Sequence, residues 1–140
     1  MSDRDDIADL VHRYSDAVSR KDRAQWAATW ADDARWDLGK GRVSTGKADI
    51  VVFWQQAVDQ LVTVVQMVHN GTVMVNGDTA SGRWYITEHV RRSNGVLGIM
   101  LAWYDDTYVR VEGTWLFSSR ALGSLYHGPP DLTGEFTPLP

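Results

Sequence analysis

The chain has 140 residues, with 14 Lys and Arg against 18 Asp and Glu, and it contains no cysteine. A chain of this length suits one domain and can bury roughly two-thirds of the surface that its unfolded form exposes. The lack of cysteine excludes a disulfide framework, a cysteine-based zinc site and a catalytic thiol. The net charge of −4, with the basic residues scattered along the sequence, argues against a nucleic-acid partner.

The sequence also bears on location. The first six residues are rich in aspartate, whereas a signal peptide starts with basic residues and continues with an apolar stretch. No segment approaches the ~20 consecutive apolar residues of a membrane span. We therefore expect a soluble, cytoplasmic protein that has no membrane partner.

Two helices are predicted at the start of the chain. Residues 3–20 carry apolar side chains at helical spacing, which is typical of an amphipathic helix. A second, short helix is predicted to begin at Asp22, because aspartate is a good N-cap, and to carry Trp26 and Trp30 on one face. The pair Asp32-Asp33 is expected to end it.

A short strand containing Trp36 and a loop follow. Residues 39–46 hold three glycines and are predicted to form that loop. From Lys47 to about Leu61 the apolar residues again recur with a period near 3.6, which predicts a third helix.

The second half of the sequence predicts four β-strands, at about 63–75, 79–91, 96–110 and 114–127. The segments between them, such as Asn76-Gly77-Asp78 and Ser93-Asn94-Gly95, are typical of hairpin turns. Helices followed by long strands predict an α+β fold in which the helices cover one face of a curved antiparallel sheet. Residues 1–140 are predicted to form one domain with a tail from about residue 128.

Several common site motifs are missing from the sequence. The glycines at 39, 41 and 46 do not have dinucleotide or P-loop spacing, and there is no G-x-S-x-G motif. The four histidines never occur as H-x-x-x-H or H-x-H, which gives little support to a metal site. Acid–base chemistry by ordinary side chains remains, and we expect no metal and no organic cofactor.

Three polar residues interrupt otherwise apolar stretches, and these are His69, Glu88 and Arg120. A buried charge is costly unless it is paired, so each of them needs a partner or a pocket. Alternate residues of a strand share a face. Alternation therefore predicts one common face for Trp84, Ile86 and Glu88, and another for Leu116, Ser118, Arg120 and Leu122. An apolar face with a few polar groups is typical of a ligand cavity.

Each candidate also has a purely structural interpretation. His69 could be a satisfied structural histidine, and Asp22 could serve only as an N-cap. Glu88 and Arg120 could form a structural ion pair. Tyr14 lies on the apolar face of the first helix and could pack in the core with its hydroxyl bonded. The seven tryptophans suit a core as well as a cavity wall or an interface between subunits.

Several segments match a known family when taken together. They are Tyr14-Ser15-Asp16, Asp22, Trp26, Trp30 to Trp36, His69-Asn70-Gly71-Thr72, Gly82-Arg83-Trp84-Tyr85 and Trp115 to Arg120. Over most of its length the chain resembles the SnoaL-like enzymes of the nuclear-transport-factor-2-like superfamily, hexachlorocyclohexane dehydrochlorinase in particular. The segment 82–85 is similar to bile-acid 7α-dehydratase, and scytalone dehydratase is a more distant relative. The resemblance implies a cone-shaped fold with three helices packed on the sheet.

The resemblance also implies roles for four residues. Asp22 matches an aspartate that orients and charges a strand histidine, and His69 matches that histidine, which removes a proton so that halide or hydroxide can leave. Arg120 matches an arginine that assists the leaving group, and Glu88 falls near an acidic pocket residue. The pair is chemically sensible, because a carboxylate fixes the imidazole tautomer and stabilises the imidazolium that proton abstraction forms.

One position departs from the family. Ala17 stands where the related enzymes have lysine or tyrosine, so the contact to the leaving group or carbonyl must come from elsewhere, with Tyr14, Tyr104 and Tyr126 as candidates. The residues predicted to bind substrate are Tyr14, Trp26, Trp84, Glu88, Trp103 and Tyr126.

These observations predict a cofactor-independent lyase that acts on a small, largely apolar cyclic substrate through an Asp22–His69 general base, with Arg120 aiding the leaving group. An isomerase or cyclase that uses the same base is the first alternative, and a non-catalytic small-molecule-binding protein is the second. The binding protein would be favoured if the two residues were out of hydrogen-bond reach. A homo-oligomer is expected, because a strongly curved sheet of this type exposes an apolar outer face.

Overall fold

The computed structural model describes residues 2–140 and leaves Met1 outside the description. Its helices are α1 (Asp3–Arg20), α2 (Arg23–Ala27) and α3 (Lys47–Val58). Its strands are β1 (Trp30–Asp37), β2 (Val43–Thr45), β3 (Leu61–Asn76), β4 (Thr79–Arg92), β5 (Leu97–Val111) and β6 (Thr114–Gly128). The predicted α+β class, with three helices packed on a curved sheet, is confirmed.

The first helix forms as its sequence predicts. The Ser2 side chain accepts a hydrogen bond from the Asp5 backbone N–H, and the Asp5 carboxylate accepts one from the Ser2 N–H, which makes a capping box. Lys21 adopts a left-handed conformation, with φ of 54°, and ends the helix. The apolar face that the helix buries consists of Ile7, Leu10, Val11, Tyr14, Ala17 and Val18.

The second helix is shorter than predicted. It ends at Ala27, and Trp30 opens β1 instead of completing the helix. The reason is tertiary, because Trp30 pairs in parallel with Phe117 of β6 and the Thr29 carbonyl accepts the Phe117 N–H at 2.8 Å. Trp26 and Trp30 are still neighbours in the core, with ring centroids 5.6 Å apart.

Two further boundaries differ from the prediction for the same kind of reason. The predicted loop at 39–46 contains β2, which pairs with β1 through Trp36 and Ser44. The third helix ends at Val58, because Leu61 already pairs with Arg92 on the neighbouring strand. Pairing with another strand therefore outweighs the local pattern in both places, which is glycine-rich at 39–46 and helical just before Leu61.

The strands form one six-stranded sheet in the order β2-β1-β6-β5-β4-β3. The predicted antiparallel meander of the last four strands is present, and the pairing of β1 with β6 is parallel. α1 packs on β3, and α3 packs on β1. None of the helices in residues 2–140 is long and apolar enough to cross a membrane.

The strand register shifts at several points, and two of these β-bulges bear on the predicted site residues. One lies in β3 between Val68 and Gly71, and the other lies opposite Thr107, where β6 gains one residue. An extra residue in one strand shifts the alternation of every residue beyond it. The second bulge corrects the predicted face of β6. Arg120 and Leu122 share the inner face with Trp115 and Phe117, whereas Leu116 and Ser118 belong to the other side.

Candidate active site

A cavity of about 550 Å³ opens between the inner face of the sheet and the helices. Its size lies within the range of small-molecule sites. Most of its wall is apolar, and the larger apolar side chains in it are Trp36, Phe53, Trp54, Val64, Ile99 and Leu122. The polar groups that face it are few, so they decide what chemistry the cavity can support.

Glu88 of β4 lies in the wall of this cavity. It shares the inner face with Trp84 and Ile86, as the alternation predicted, and both of those neighbours are buried. Removal of the carboxylate from bulk water raises the pKa of Glu88, and a hydrogen bond from Gln66 and the positive charge of Arg92 only partly offset this effect. The result is a carboxylate that is more basic than one on the surface.

The orientation of Glu88 is set by a chain of hydrogen bonds from α1. The Ser15 hydroxyl donates to Gln66 Oε1 at 2.7 Å, which leaves the amide nitrogen of Gln66 facing the other way. That nitrogen donates to Glu88 Oε1 at 3.2 Å. Ser15 and Gln66 are both buried, so this contact between helix and sheet holds one carboxylate oxygen and leaves the second free to act.

Two tyrosines bring hydroxyl groups to the same cavity. Tyr14 of α1 and Tyr104 of β5 both line it, and both are buried. Burial raises the pKa of each phenol above its ordinary value, so both stay protonated at neutral pH. The Trp36 indole N–H donates to the Tyr104 hydroxyl at 3.2 Å, which leaves the proton of that hydroxyl available for another acceptor.

Arg120 lies behind these tyrosines rather than in the cavity. It is 1% exposed and pairs with Asp106 through Nε at 2.7 Å and Nη2 at 3.1 Å. Its guanidinium carbon is 4.4 Å from the Tyr14 ring centre and 3.9 Å from that of Tyr104. Burial is the largest effect and by itself would lower the pKa of Arg120, but Asp106, Tyr14 and Tyr104 together outweigh it and the pKa lies above its ordinary value.

This placement changes the role expected for Arg120. The cavity wall does not include it, and Asp106, not Glu88, is its partner in the described residues. A charge-assisted pair that is stacked on two aromatic rings holds those rings in place. Arg120 therefore packs behind the tyrosines, outside the cavity wall, and its buried Nη1 has no hydrogen-bond partner among the described residues.

The structure does not bring Asp22 and His69 together. Asp22 caps α2 by accepting from the Gln25 N–H at 3.0 Å and pairs with Arg20 at 3.1 Å. His69 is exposed, and its Nε2 lies 2.7 Å from the Thr87 hydroxyl on the outer side of the sheet. Val64, Gln66 and Val68 face the core, so alternation along β3 places His69 on the outer side. The hydrogen-bonded dyad that the sequence suggested is not formed in this arrangement, and neither residue lines the cavity.

Of the six residues predicted to bind substrate, only Tyr14 and Glu88 line the cavity. Trp26 is fully buried and stacks on Trp54, with ring centroids 4.5 Å apart. The Trp84 indole donates to Tyr108 at 3.0 Å and belongs to the core. Trp103 bonds to Asp105, and the hydroxyl of Tyr126 donates to the Pro129 carbonyl at 2.8 Å.

Sequence reasoning missed several polar groups of the cavity, and Gln66 and His127 are two of them. Gln66 interrupts the same apolar run as His69, so it could have been selected by the same criterion. It lies two residues after Val64, and alternation would have placed it on the inner face. His127 lines the cavity from the end of β6 and is exposed there. No pattern in the sequence around it indicated a place in the cavity wall. Within residues 2–140 no group of three or more His, Cys, Asp or Glu side chains is placed to hold a metal ion.

Known proteins share this architecture. A family model described as a SnoaL-like domain matches residues 1–121. A type-3 hexachlorocyclohexane dehydrochlorinase from Novosphingobium barchaimii is 21% identical, covers 98% of this chain and 94% of its own, and has a TM-score of 0.83. A candidate scytalone dehydratase from Novosphingobium aromaticivorans is 19% identical, covers 94% of this chain and 95% of its own, and also has a TM-score of 0.83.

A third structure, named as a candidate aromatic ring hydroxylase from Novosphingobium aromaticivorans, is 26% identical over 89% of this chain and 90% of its own, with a TM-score of 0.83. No curated protein matches the chain significantly. At identities near 20% the structural matches show a shared fold, and a shared fold does not fix the reaction. The reaction must therefore be argued from the groups in the cavity.

Proposed function

The chain belongs to the SnoaL-like family, and from that premise we propose that it is a cofactor-independent lyase that acts on a small, largely apolar cyclic molecule held in the cavity. The observation that carries the proposal is the carboxylate of Glu88, which is desolvated, oriented by Gln66 and placed in the wall of an apolar cavity. Elimination needs one group that removes a proton and another that assists the departing oxygen or halide.

Glu88 is the base in this proposal. Its carboxylate takes a proton from carbon, the electron pair of that C–H bond forms the new double bond, and the leaving group departs with its bonding electrons. A carboxylate whose pKa is raised toward the working pH is a better general base than an exposed one. General-base help of this kind contributes ~10² to 10⁴ in rate.

The hydroxyls of Tyr14 and Tyr104 are the hydrogen-bond donors. Both remain protonated at neutral pH, and both face the cavity in which Glu88 lies. A donor aimed at a carbonyl or departing oxygen stabilises the negative charge that develops there, and an apolar site strengthens that effect. Ala17, on the same helix as Tyr14, stands where the related enzymes have a lysine or tyrosine. In this proposal the two tyrosine hydroxyls make the contact that such a side chain would make.

Isomerisation is the second candidate, and the same groups favour it. A carboxylate base with buried tyrosine donors suits removal of a proton next to a carbonyl, followed by return of that proton at another carbon. The reaction differs from elimination in its product, because elimination loses water or halide and isomerisation loses nothing. Product mass therefore separates the two.

The experiment follows proton transfer on defined compounds. Cyclic ketones in D₂O report exchange of the α-proton by NMR, and cyclic β-hydroxyketones report loss of water as a rise in ultraviolet absorbance. We expect Glu88→Gln to lose ~10² or more of the rate, and Glu112→Gln, in an exposed turn, to keep it.

Two further variants test the family-derived base directly. His69→Ala and Asp22→Asn are expected to retain turnover, because neither side chain lines the cavity. Loss of turnover in both variants, with Glu88→Gln still active, would contradict the proposal and restore the dyad. Binding of cyclic ketones without any exchange or elimination would identify a non-catalytic binding protein, the alternative that the separation of Asp22 from His69 favours.

A further inference from the structure

The rim of the cavity is basic, although the chain as a whole has a net charge of −4. Lys40 and Arg42 reach the rim from the loop between β1 and β2, Arg92 from the end of β4 and His127 from the end of β6. Of the cavity-lining residues that the structure describes, Glu88 alone carries a carboxylate. The fold thus brings the cations Lys40, Arg42 and Arg92 together at one opening from two separate segments.

These rim cations are not neutralised by neighbouring acids. The ion pairs found among residues 2–140 include none of Lys40, Arg42 and Arg92. Arg42 is held in place by the backbone, because its Nη2 donates to the Leu38 carbonyl at 2.9 Å, and it keeps its charge. Lys40 lies between two glycines that have positive φ, in a tight turn that presents it at the rim.

We infer that the molecule bound in the cavity carries an anionic group, held at the rim by Lys40, Arg42 and Arg92, on an apolar body that reaches inward to Glu88. This inference rests on the proposed function and names the class of its substrate. Arg92 and Glu88 lie four residues apart on one strand face, so their Cα atoms are separated by about 13 Å. The Arg92 side chain spans part of that distance, since its charge offsets part of the rise in the Glu88 pKa, so the anionic group lies toward the rim and the reacting carbon lies further in.

The rim charges do two things for such a ligand. They attract the anion from solution, and they hold it at the opening so that the apolar body enters first. They also keep the anion away from Glu88, since two negative charges close together in an apolar site repel strongly. A neutral molecule of the same shape gains only the apolar contacts.

Two fluorescent probes with the same ring system test the inference. 8-Anilino-1-naphthalenesulfonate carries a sulfonate, and N-phenyl-1-naphthylamine is its uncharged counterpart. We expect the sulfonate to bind the natural chain more tightly, and Lys40→Gln or Arg92→Gln to weaken it by about two- to fivefold each, while binding of the neutral probe stays unchanged. Added salt should weaken binding of the sulfonate probe and leave binding of the neutral probe unchanged.

Arg91→Gln is the matched control, because Arg91 is the neighbour of Arg92 on the same strand and is exposed on the opposite face. Displacement of the bound sulfonate probe is then measured with 2-naphthoate and with 2-naphthyl phosphate, and 2-naphthol is the neutral reference. The compound that displaces the probe at the lower concentration shows whether the rim prefers a carboxylate or a phosphate. Equal affinity for both fluorescent probes, unchanged by the rim substitutions, would overturn the inference and leave the proposed function standing. If neither probe bound, both proposals would fail.

Discussion

Glu88 is expected to lower the free energy of unfolding by an amount that depends on pH. Because burial raises its pKa in the folded chain, the folded state loses stability as pH rises above the ordinary glutamate pKa of about 4.3 and through the raised value. Glu88→Gln should remove this loss and keep the hydrogen bond from Gln66. We expect the variant to be more stable at pH 8 by about 1.4 kcal/mol for each unit by which the pKa is raised.

Urea denaturation between pH 5 and pH 8 measures this effect. The advantage of Glu88→Gln should shrink as pH falls toward the ordinary glutamate pKa, because the folded state of the natural chain then takes up the proton. Glu112→Gln, exposed in a turn, is the control and should change stability by no more than about 0.5 kcal/mol at either pH. An advantage that did not vary with pH would mean that burial of this charge is not the cause.

Substitution of Arg120 can distinguish a structural role of this residue from a catalytic one. Arg120→Ala leaves Asp106 buried without its cation, so we expect a loss of about 3 to 5 kcal/mol in the free energy of unfolding. Replacing both partners, with Asp106→Leu and Arg120→Met, should recover part of that loss because no charge is then left unpaired. Thermal denaturation of the three proteins tests this. A stable, folded but inactive Arg120→Ala would instead support a direct role in the reaction.

At the scale of elements, the bulge in β3 depends on Gly71. A side chain at this position would overlap the Trp84 indole, and it would also come within 2.7 Å of the Arg83 carbonyl. Gly71→Ala should therefore destabilise the sheet by about 1 to 3 kcal/mol. Gly98→Ala on β5 is the control, because its methyl group would meet a Val90 methyl at 3.2 Å and the Gly128 carbonyl at an ordinary 3.7 Å, and it should cost less than about 1 kcal/mol. Equal losses in the two variants would show that the indole does not fix the bulge.

At the scale of the whole molecule, the cavity is space that the fold leaves unfilled. Val64 faces it from β3, and Val62, two residues earlier on the same strand, is 60% exposed. We expect Val64→Phe to fill part of the cavity, which would abolish binding of both naphthalene probes without loss of stability. Val62→Phe should bind the probes as the natural chain does. Probe fluorescence and thermal denaturation test both variants, and undiminished binding by Val64→Phe would place the probes elsewhere.

Self-association remains a prediction at this scale. Several large apolar side chains are exposed on the strands, among them Met67, Met74 and Leu97. Exposed apolar surface of this kind favours contact between subunits when it is contiguous. Sedimentation velocity at two concentrations should show a species larger than the monomer, and a single monomeric species at both concentrations would contradict this expectation.

Much of the fold could be predicted from the sequence, because its determinants are local. The period of the apolar residues over 3–20 specifies α1, and turn residues such as Asn76-Gly77-Asp78 specify the hairpins. Glu88 and Tyr14 could be placed on inward faces because neither lies beyond a bulge on its own element. Helix ends were less predictable where a distant strand competes for the same backbone, as at Trp30.

The sequence by itself determined the fold class, the family and the presence of an inward-facing carboxylate. Only the tertiary structure decided which polar groups meet, because a side chain's direction on a strand depends on every bulge before it. Arg120 turns inward beyond a bulge in β6 that no local pattern of the sequence indicates. The hydrogen bond between Ser15 and Gln66, which joins residues 51 positions apart, likewise follows from packing and not from any local pattern.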